Sequence, residues 1–221
     1  MKPQVILRMA LSPGQTERLL QLQQMFAQAC NHLSPIVQQT RCWNRVALHH
    51  MAYRTLRERF PALGSQMACN AIYSVSRTCR ALFQNRESPY ALHKLGSGPL
   101  PKVLFLPQSP VYFDRHTLSL KDGRVSLYTL DGRIKFNLKL DEQQEALFRT
   151  HRLREVVMSG QGAELALSFN FNDAGASPGQ EAADDDTLAP DMPEYVMVTD
   201  EAQPTQTPTP TAPVLSTRLP Q

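Results

Sequence analysis

The sequence has few of the residue groupings that support metal or nucleophilic chemistry. None of its cysteines forms the CxxC pair of a zinc site: Cys30, Cys42, Cys69 and Cys79. A GxSxG serine motif and a glycine-rich phosphate loop are also absent. The adjacent His49 and His50 would point about 100° apart on a helix, so they do not form a ligand pair. We therefore predict no enzyme activity, no metal site and no cofactor.

Long hydrophobic segments are also missing. No apolar run approaches the roughly 18 residues of a membrane span, and the first residues, MKPQVILRMAL, are too short in their apolar part for a signal peptide. Cysteines in predicted helices usually behave as small buried apolar residues. The sequence thus predicts a cytoplasmic, reduced protein without a membrane partner.

Acidic residues are scarce in most of the chain. Residues 1–160 contain 22 Lys and Arg against 10 Asp and Glu, a balance of +12, whereas residues 161–221 contain one basic residue against 10 acidic ones, a balance of −9. A basic body favours a polyanionic partner such as nucleic acid, and the acidic tail could compete for the same surface. The alternative is that these charges only solvate the surface.

Alternation of apolar and polar residues predicts a sheet in the second half of the chain. Two Asp-Gly steps, at 122–123 and 131–132, are strong signals for hairpins with type I′ turns. We predict strands at about 5–11, 111–120, 124–130, 133–140, 153–158 and 163–171. Strands of this length would avoid exposed edges by closing into a small antiparallel β-barrel.

Helical periodicity dominates the region between the first strand and this sheet. Ser12, Pro13 and Gln15 form a helix start with a capping box, and this helix should end near the Ser34-Pro35 step. A second helix is expected at about 43–60, with Trp43, Val46, Ala47, Met51, Leu56 and Phe60 facing inward. A third, capped by Ser65, is expected at about 66–84, and a short one at 141–151. The core side of the third helix should consist of Met67, Ala71, Ile72, Val75, Cys79, Leu82 and Phe83. Residues 85–108 read as a loop rich in Pro and Gly.

These elements predict an α+β fold with three parts. Residues 1–11 and 100–172 would form the β-barrel, and residues 12–99 an inserted helical domain with a basic loop. Residues 173–221 are acidic and rich in Pro and Thr, so they cannot bury enough apolar surface to offset the entropy of ordering. We predict that this tail is disordered.

The order of these segments resembles the N-terminal half of TnpB-type proteins, the RNA-guided nucleases of insertion sequences that are related to type V CRISPR effectors. The matching pieces are an opening strand and helix with a late Asn, VILRMALSPGQTERLLQLQQMFAQACNH, then LGSQMA before a helix that ends in Phe83, then Pro101-Lys102-Val103, and finally VYFDRHTLSLKDGRVSLYTLDGRIKF. The last piece resembles the wedge-like barrel strands of the family. The resemblance spans about residues 5–171.

The chain departs from this family where the nuclease would follow. The RuvC-type domain of the family needs several carboxylates that hold metal ions, together with a zinc ribbon of CxxC motifs. This sequence has no CxxC and little chain beyond the predicted barrel. Residues 195–200, YVMVTD, are either a remnant of the first nuclease strand or an isolated apolar patch in the tail. These departures from the family pattern therefore predict a nuclease-dead protein.

In the family, the inserted helices contact a short DNA duplex beside the target, while the barrel and basic surfaces hold the guide RNA. If the inserted helices have the same role in this chain, the resemblance implies that the third helix carries these DNA-binding residues: Ser65, Gln66, Cys69, Asn70, Arg77 and Arg80. Gln and Asn can pair with adenine edges, whereas Cys is a poor base reader. The alternative is that Ser65 only caps the helix and Gln66 is merely exposed.

Basic residues at helical spacing and around the hairpins are the RNA-binding candidates: Arg41, Arg45, Arg54, Arg57, Lys102, Lys121, Arg124, Arg133 and Lys135. Tyr112, Tyr128 and Phe136 lie near the strand cations and would either stack on bases or belong to the core. The sequence as a whole predicts binding of a structured, guide-like RNA and of duplex DNA without cleavage, in a mobile-element or CRISPR context. Three alternatives remain: half of a split nuclease with a separate RuvC chain, a truncated remnant of a transposon, and a protein–protein adaptor.

Overall fold

The computed structural model describes residues 3–121, 123–172 and 193–199. Its elements are β1 (Gln4–Arg8), α1 (Pro13–Thr40), α2 (Arg45–Arg59), α3 (Ser65–Phe83), α4 (Leu92–Leu95), β2 (Lys102–Phe105), β3 (Val111–Phe113), β4 (Leu118–Lys121), β5 (Arg124–Thr129), β6 (Gly132–Asn137), α5 (Glu142–Thr150), β7 (Leu153–Ser159), β8 (Ala166–Phe171) and β9 (Val196–Thr199). Helices precede antiparallel sheets, which confirms the α+β class.

The strands form three separate sheets rather than one barrel. Their orders are β1-β8-β7-β3, β2-β9 and β4-β5-β6, and no closed barrel occurs in the part of the chain that the structure describes. The cause is a break in the predicted strand 111–120. The Asp114 carboxylate accepts hydrogen bonds from the backbone N–H groups of His116 and Thr117, at 3.0 Å each. This Asx turn sends β3 into one sheet and β4 into another.

Helix α1 begins as predicted and ends later than predicted. Ser12 and Gln15 form the expected capping box, but the helix continues through Pro35 to Thr40. Its second half packs against β2, where Leu33 and Val37 are buried. Polar side chains of α1 also bind the backbone of the following segment. Asn31 donates to the carbonyl of Phe105 at 2.8 Å and accepts from its N–H at 2.7 Å. These contacts and the apolar burial offset the backbone hydrogen bond that a proline removes.

Helices α2 and α3 lie close to their predicted positions. On α3, the expected core side is confirmed, since every one of its predicted core residues is buried: Met67, Ala71, Ile72, Val75, Cys79, Leu82 and Phe83. On α2, the expected core side is partly wrong, because the buried residues are Leu48, Ala52 and Leu56. Val46 and Met51 are 64% and 43% exposed. Neighbouring elements, rather than the weak amphipathicity of α2, select its buried stripe.

The second hairpin turn differs from the predicted type. Thr129 pairs with Gly132, so the two turn residues are Leu130 and Asp131 rather than Asp131 and Gly132. Gly132 has φ of 95°, whereas Leu130 and Asp131 have no positive φ. A turn followed by a left-handed glycine is the arrangement of a longer hairpin loop with a bulge. Asp122, in the first Asp-Gly step, lies outside the described residues.

Two predicted irregular segments contain regular structure. The predicted loop 85–108 includes α4 and β2, and part of the predicted disordered tail forms β9. β9 pairs antiparallel with β2, from Lys102 opposite Thr199 to Phe105 opposite Val196. The carbonyl of Tyr195 accepts from the N–H of Leu106 at 3.0 Å. The prediction of a disordered tail is therefore wrong for residues 193–199. The rest of that predicted tail, 173–192 and 200–221, lies outside the described residues.

One hydrophobic cluster joins the helices to the sheets. It runs from β1 through α1, α2 and α3 to the inner faces of β3–β8, and it also includes Val196 of β9. Phe26, Phe83, Phe169 and Phe171 are among its largest fully buried side chains. The outer face of the β4-β5-β6 sheet is thus held on a rigid, well-packed base.

Gly64, which precedes α3, has a backbone conformation that favours glycine. Its φ is +75°, and a Cβ at this position would lie 2.9 Å from the hydroxyl oxygen of Tyr128. We expect Gly64→Ala to lower the free energy of unfolding by about 1–2 kcal/mol, because alanine is strained at positive φ. Urea denaturation measures this. Gly14→Ala is the matched control, since nothing lies within 4 Å of a Cβ there, and it should leave stability unchanged or raised. An equal loss in both variants would contradict the argument from positive φ.

Candidate nucleic-acid interface

The outer face of the β4-β5-β6 sheet carries an ordered array of polar side chains. The strand register places Lys121, Arg124 and Asn137 in one row across the three strands, and Ser119, Ser126 and Lys135 in the next. Alternate residues on one strand lie about 6.7 Å apart, and neighbouring strands about 4.8 Å apart. The opposite face of these strands holds the buried Leu118, Val125, Leu127, Ile134 and Phe136. Alternation in the sequence therefore fixes which side chains reach solvent.

These six residues line a shallow open groove of about 560 Å³. Its three cations are exposed, and its lining contains no acidic residue among those that the structure describes. Within the same residues, the side chains of Lys121, Arg124 and Lys135 make neither an ion pair nor a hydrogen bond. Positive charges that lie close together, with no acidic side chain among them, favour an anionic ligand. Phosphate groups of a nucleic-acid backbone fit such a groove.

Arg133, the fourth predicted strand cation, lies beside the groove and is engaged by its neighbours. Its guanidinium donates to the Ser126 hydroxyl at 2.8 Å, to the Ser126 carbonyl at 2.6 Å and to the His116 carbonyl at 3.1 Å. It therefore holds Ser126 in place, while its exposed position leaves its predicted role as an RNA ligand a prediction.

The three aromatic residues near these cations are not open stacking platforms. Tyr112 and Phe136 are buried in the core. Tyr128 is half-buried, and its hydroxyl donates to the carbonyl of Ala62 at 3.0 Å. The core interpretation of Tyr112 and Phe136 is confirmed. Base stacking in this groove is therefore not supplied by these side chains.

The other predicted RNA-binding cations are spread over several elements. Arg41 does not lie on α2: it ends α1 with φ of 52°, and its guanidinium donates to the carbonyls of Gly98 and Gly96. Arg45 and Arg54 are exposed on α2, and Arg54 forms an ion pair with Glu58 at 3.0 Å. Arg57 donates to the carbonyl of Pro61 at 3.5 Å. Lys102, half-buried on β2, is separate from this group.

The predicted DNA-binding residues of α3 include two that serve the fold. The Asn70 side chain is buried and donates to the carbonyl of Tyr112 at 3.0 Å, which ties α3 to the edge of β3. Arg77 forms an ion pair with Glu155 at 3.0 Å and also donates to the Tyr73 hydroxyl at 3.1 Å. Both side chains are thus engaged by contacts within the fold.

The other predicted DNA-binding residues of α3 are exposed or half-buried. Ser65 is exposed but does not cap the helix, because Gly64 holds the N-cap position without a side-chain hydrogen bond. Gln66 is half-buried and donates to Asp114. Cys69 is half-buried, and burial is the main cause that raises the pKa of its thiol, against the nearby Arg45. Arg80 is half-buried in the last turn.

The start of α3 borders the sheet. Tyr128 is opposite Arg133 on the outer face, and its hydroxyl reaches Ala62, three residues before Ser65. The predicted DNA and RNA regions are therefore neighbours, joined by this contact.

Ser119, Ser126 and Asn137 complete the groove, and sequence reasoning missed them. The period-2 alternation that placed the cations on one face also placed these residues there.

Two comparisons with known proteins were negative. Neither a scan against protein-family models nor a search of curated proteins gave a match, so the resemblance to TnpB-type proteins rests on the residues given above. Within the described residues, no helix has the length and apolar character to cross a membrane. No cluster of three or more potential metal ligands occurs in the same part of the chain.

Proposed function

We propose that this protein binds nucleic acid without cleaving it, and that a structured, guide-like RNA is its main ligand. The groove on the β4-β5-β6 sheet is the observation that carries this proposal. Lys121, Arg124 and Lys135 face solvent together, without acidic neighbours among the described residues of the groove. Cations in this arrangement contact phosphates and release counterions, which gives affinity without sequence preference.

The border between the groove and the start of α3 supports duplex DNA as a second ligand. Ser65 is exposed there, and Arg45 and Arg57 lie on the adjacent α2. The resemblance to TnpB-type proteins adds the expectation that the RNA is a guide and that the gene belongs to a mobile element or a CRISPR locus. The proposal places the protein in the cytoplasm.

Recovery of bound nucleic acid from the native host tests the proposal directly. The protein is purified at moderate salt, and the nucleic acid that accompanies it is sequenced. We expect one enriched structured RNA, which would identify the ligand. Bulk ribosomal and transfer RNA that is removed by added salt would contradict a specific RNA ligand, and the protein–protein adaptor would then be the better hypothesis.

Strand β9 favours a second candidate function, one half of a split RNA-guided nuclease. Residues 195–199 belong to the segment for which a remnant of the first nuclease strand is one of two interpretations, and β9 is held against the folded body by β2. A nuclease chain encoded separately would add its strands there. The same purification tests this candidate, because a RuvC-type chain should be recovered in equal amounts. A preparation with RNA but without such a chain would contradict it.

A further inference from the structure

Three neutral side chains stand between the cations of the groove. Ser119 and Asn137 are exposed, and Ser126 is half-buried beneath Arg133. Each is adjacent, along or across the strands, to at least one of Lys121, Arg124 and Lys135. A phosphate bound by one cation would therefore bring its own sugar next to a hydroxyl or an amide.

The hydrogen-bonding state of these neutral groups suits a sugar hydroxyl. The Ser126 oxygen accepts from the Arg133 guanidinium at 2.8 Å, so its own proton remains available to donate. Within the described residues, the Ser119 and Asn137 side chains have no hydrogen-bond partner. The Asn137 amide can both donate and accept, as a ribose 2′-hydroxyl can.

From this arrangement we infer that Ser119, Ser126 and Asn137 select RNA over DNA by hydrogen bonding to ribose 2′-hydroxyl groups. The inference rests on the proposed function, since it assumes that the three cations hold the phosphates. The groove then has two separable properties. The cations give affinity for any nucleic-acid backbone, and the neutral side chains supply the preference for ribose. Arg133 acts through Ser126 as a positioning residue.

Binding of oligouridylate and of oligodeoxyuridylate with the same length tests this inference on the full chain. The two probes share their bases and phosphates and differ in the 2′-hydroxyl. We expect the wild-type protein to bind the RNA probe more tightly. The Ser119→Ala/Asn137→Ala variant should lose about fivefold in RNA affinity for each hydrogen bond removed, with DNA affinity unchanged. Ser126→Ala should act in the same direction.

The charge variant Lys121→Gln/Arg124→Gln/Lys135→Gln is the matched control, and it should weaken both probes by the same factor. Equal affinity of the wild-type protein for the two probes, or an equal loss for both in the Ser119→Ala/Asn137→Ala variant, would overturn the inference while leaving the proposed function standing. Failure of the wild-type protein to bind either probe would overturn both.

Discussion

Replacing the three groove cations by glutamine is expected to weaken RNA binding by about a hundredfold at physiological salt. Each contact between an exposed cation and a phosphate is worth about 1 kcal/mol, so three contacts approach 3 kcal/mol. The variant is Lys121→Gln/Arg124→Gln/Lys135→Gln. Its fold should be unaffected, because these side chains are exposed and unpaired within the described residues. Filter binding or fluorescence anisotropy measures the affinity.

Salt dependence gives the same experiment a second readout. If three phosphate contacts are lost, the slope of log K against log salt should flatten by about 2, at about 0.7 for each contact with a single strand. The matched control is Arg8→Gln/Arg86→Gln/Arg149→Gln, which removes the same charge from exposed positions on β1, in the turn after α3 and on α5. Equal losses in the two variants would show that net charge, rather than the groove, holds the RNA.

Removing the Glu155 side chain is expected to destabilise the fold strongly. Its carboxylate, on a side chain only 10% exposed, is within 3.0 Å of Arg77 and 2.9 Å of Arg154. It also accepts from the Tyr73 hydroxyl at 3.0 Å. Burial works against the charge of Arg77, yet Tyr112, Glu155 and Tyr73 together outweigh it and raise the pKa of the guanidinium. Glu155→Ala would leave two half-buried arginines without their common carboxylate.

We expect Glu155→Ala to lower the free energy of unfolding by about 3 kcal/mol, since an uncompensated charge remains in a poorly hydrated site. Urea denaturation measures the loss. Arg77→Met should also destabilise the protein, and the double variant should cost less than the sum of the two. Glu58→Ala is the matched control, because it breaks the ion pair with Arg54, whose side chain is 92% exposed. That change should stay within about 0.5 kcal/mol.

The same variants distinguish a structural Arg77 from a DNA-binding one. If Arg77 supports only the contact between α3 and β7, DNA affinity per folded molecule should be unchanged in Arg77→Met. A loss of DNA affinity without a loss of stability would restore the residue to the DNA interface and remove it from the structural network.

Local signals in the sequence were sufficient for much of the fold. The capping box at Ser12 marks the start of α1, and the short helix predicted at 141–151 corresponds to α5, as the structure has them. The alternation in residues 118–137 placed Lys121, Arg124 and Lys135 on one face, because side chains of a strand alternate regardless of what the strand packs against. These features depend on residues only a few positions apart, so a sequence displays them directly.

Other features depend on residues that are distant in the chain. Arg77 and Glu155 are 78 positions apart, and Asn70 and Tyr112 are 42 apart, so nothing in the local pattern showed that these polar side chains were occupied. The Asx turn at Asp114 assigned β3 and β4 to different sheets, and β2 gave β9 a partner.

The sequence by itself thus determined where the three long helices begin, where the two hairpins lie and which face of their sheet is basic. Only the tertiary structure decided which basic and amide side chains remain open to a ligand, because a buried polar group must be satisfied by whichever partner the fold brings to it.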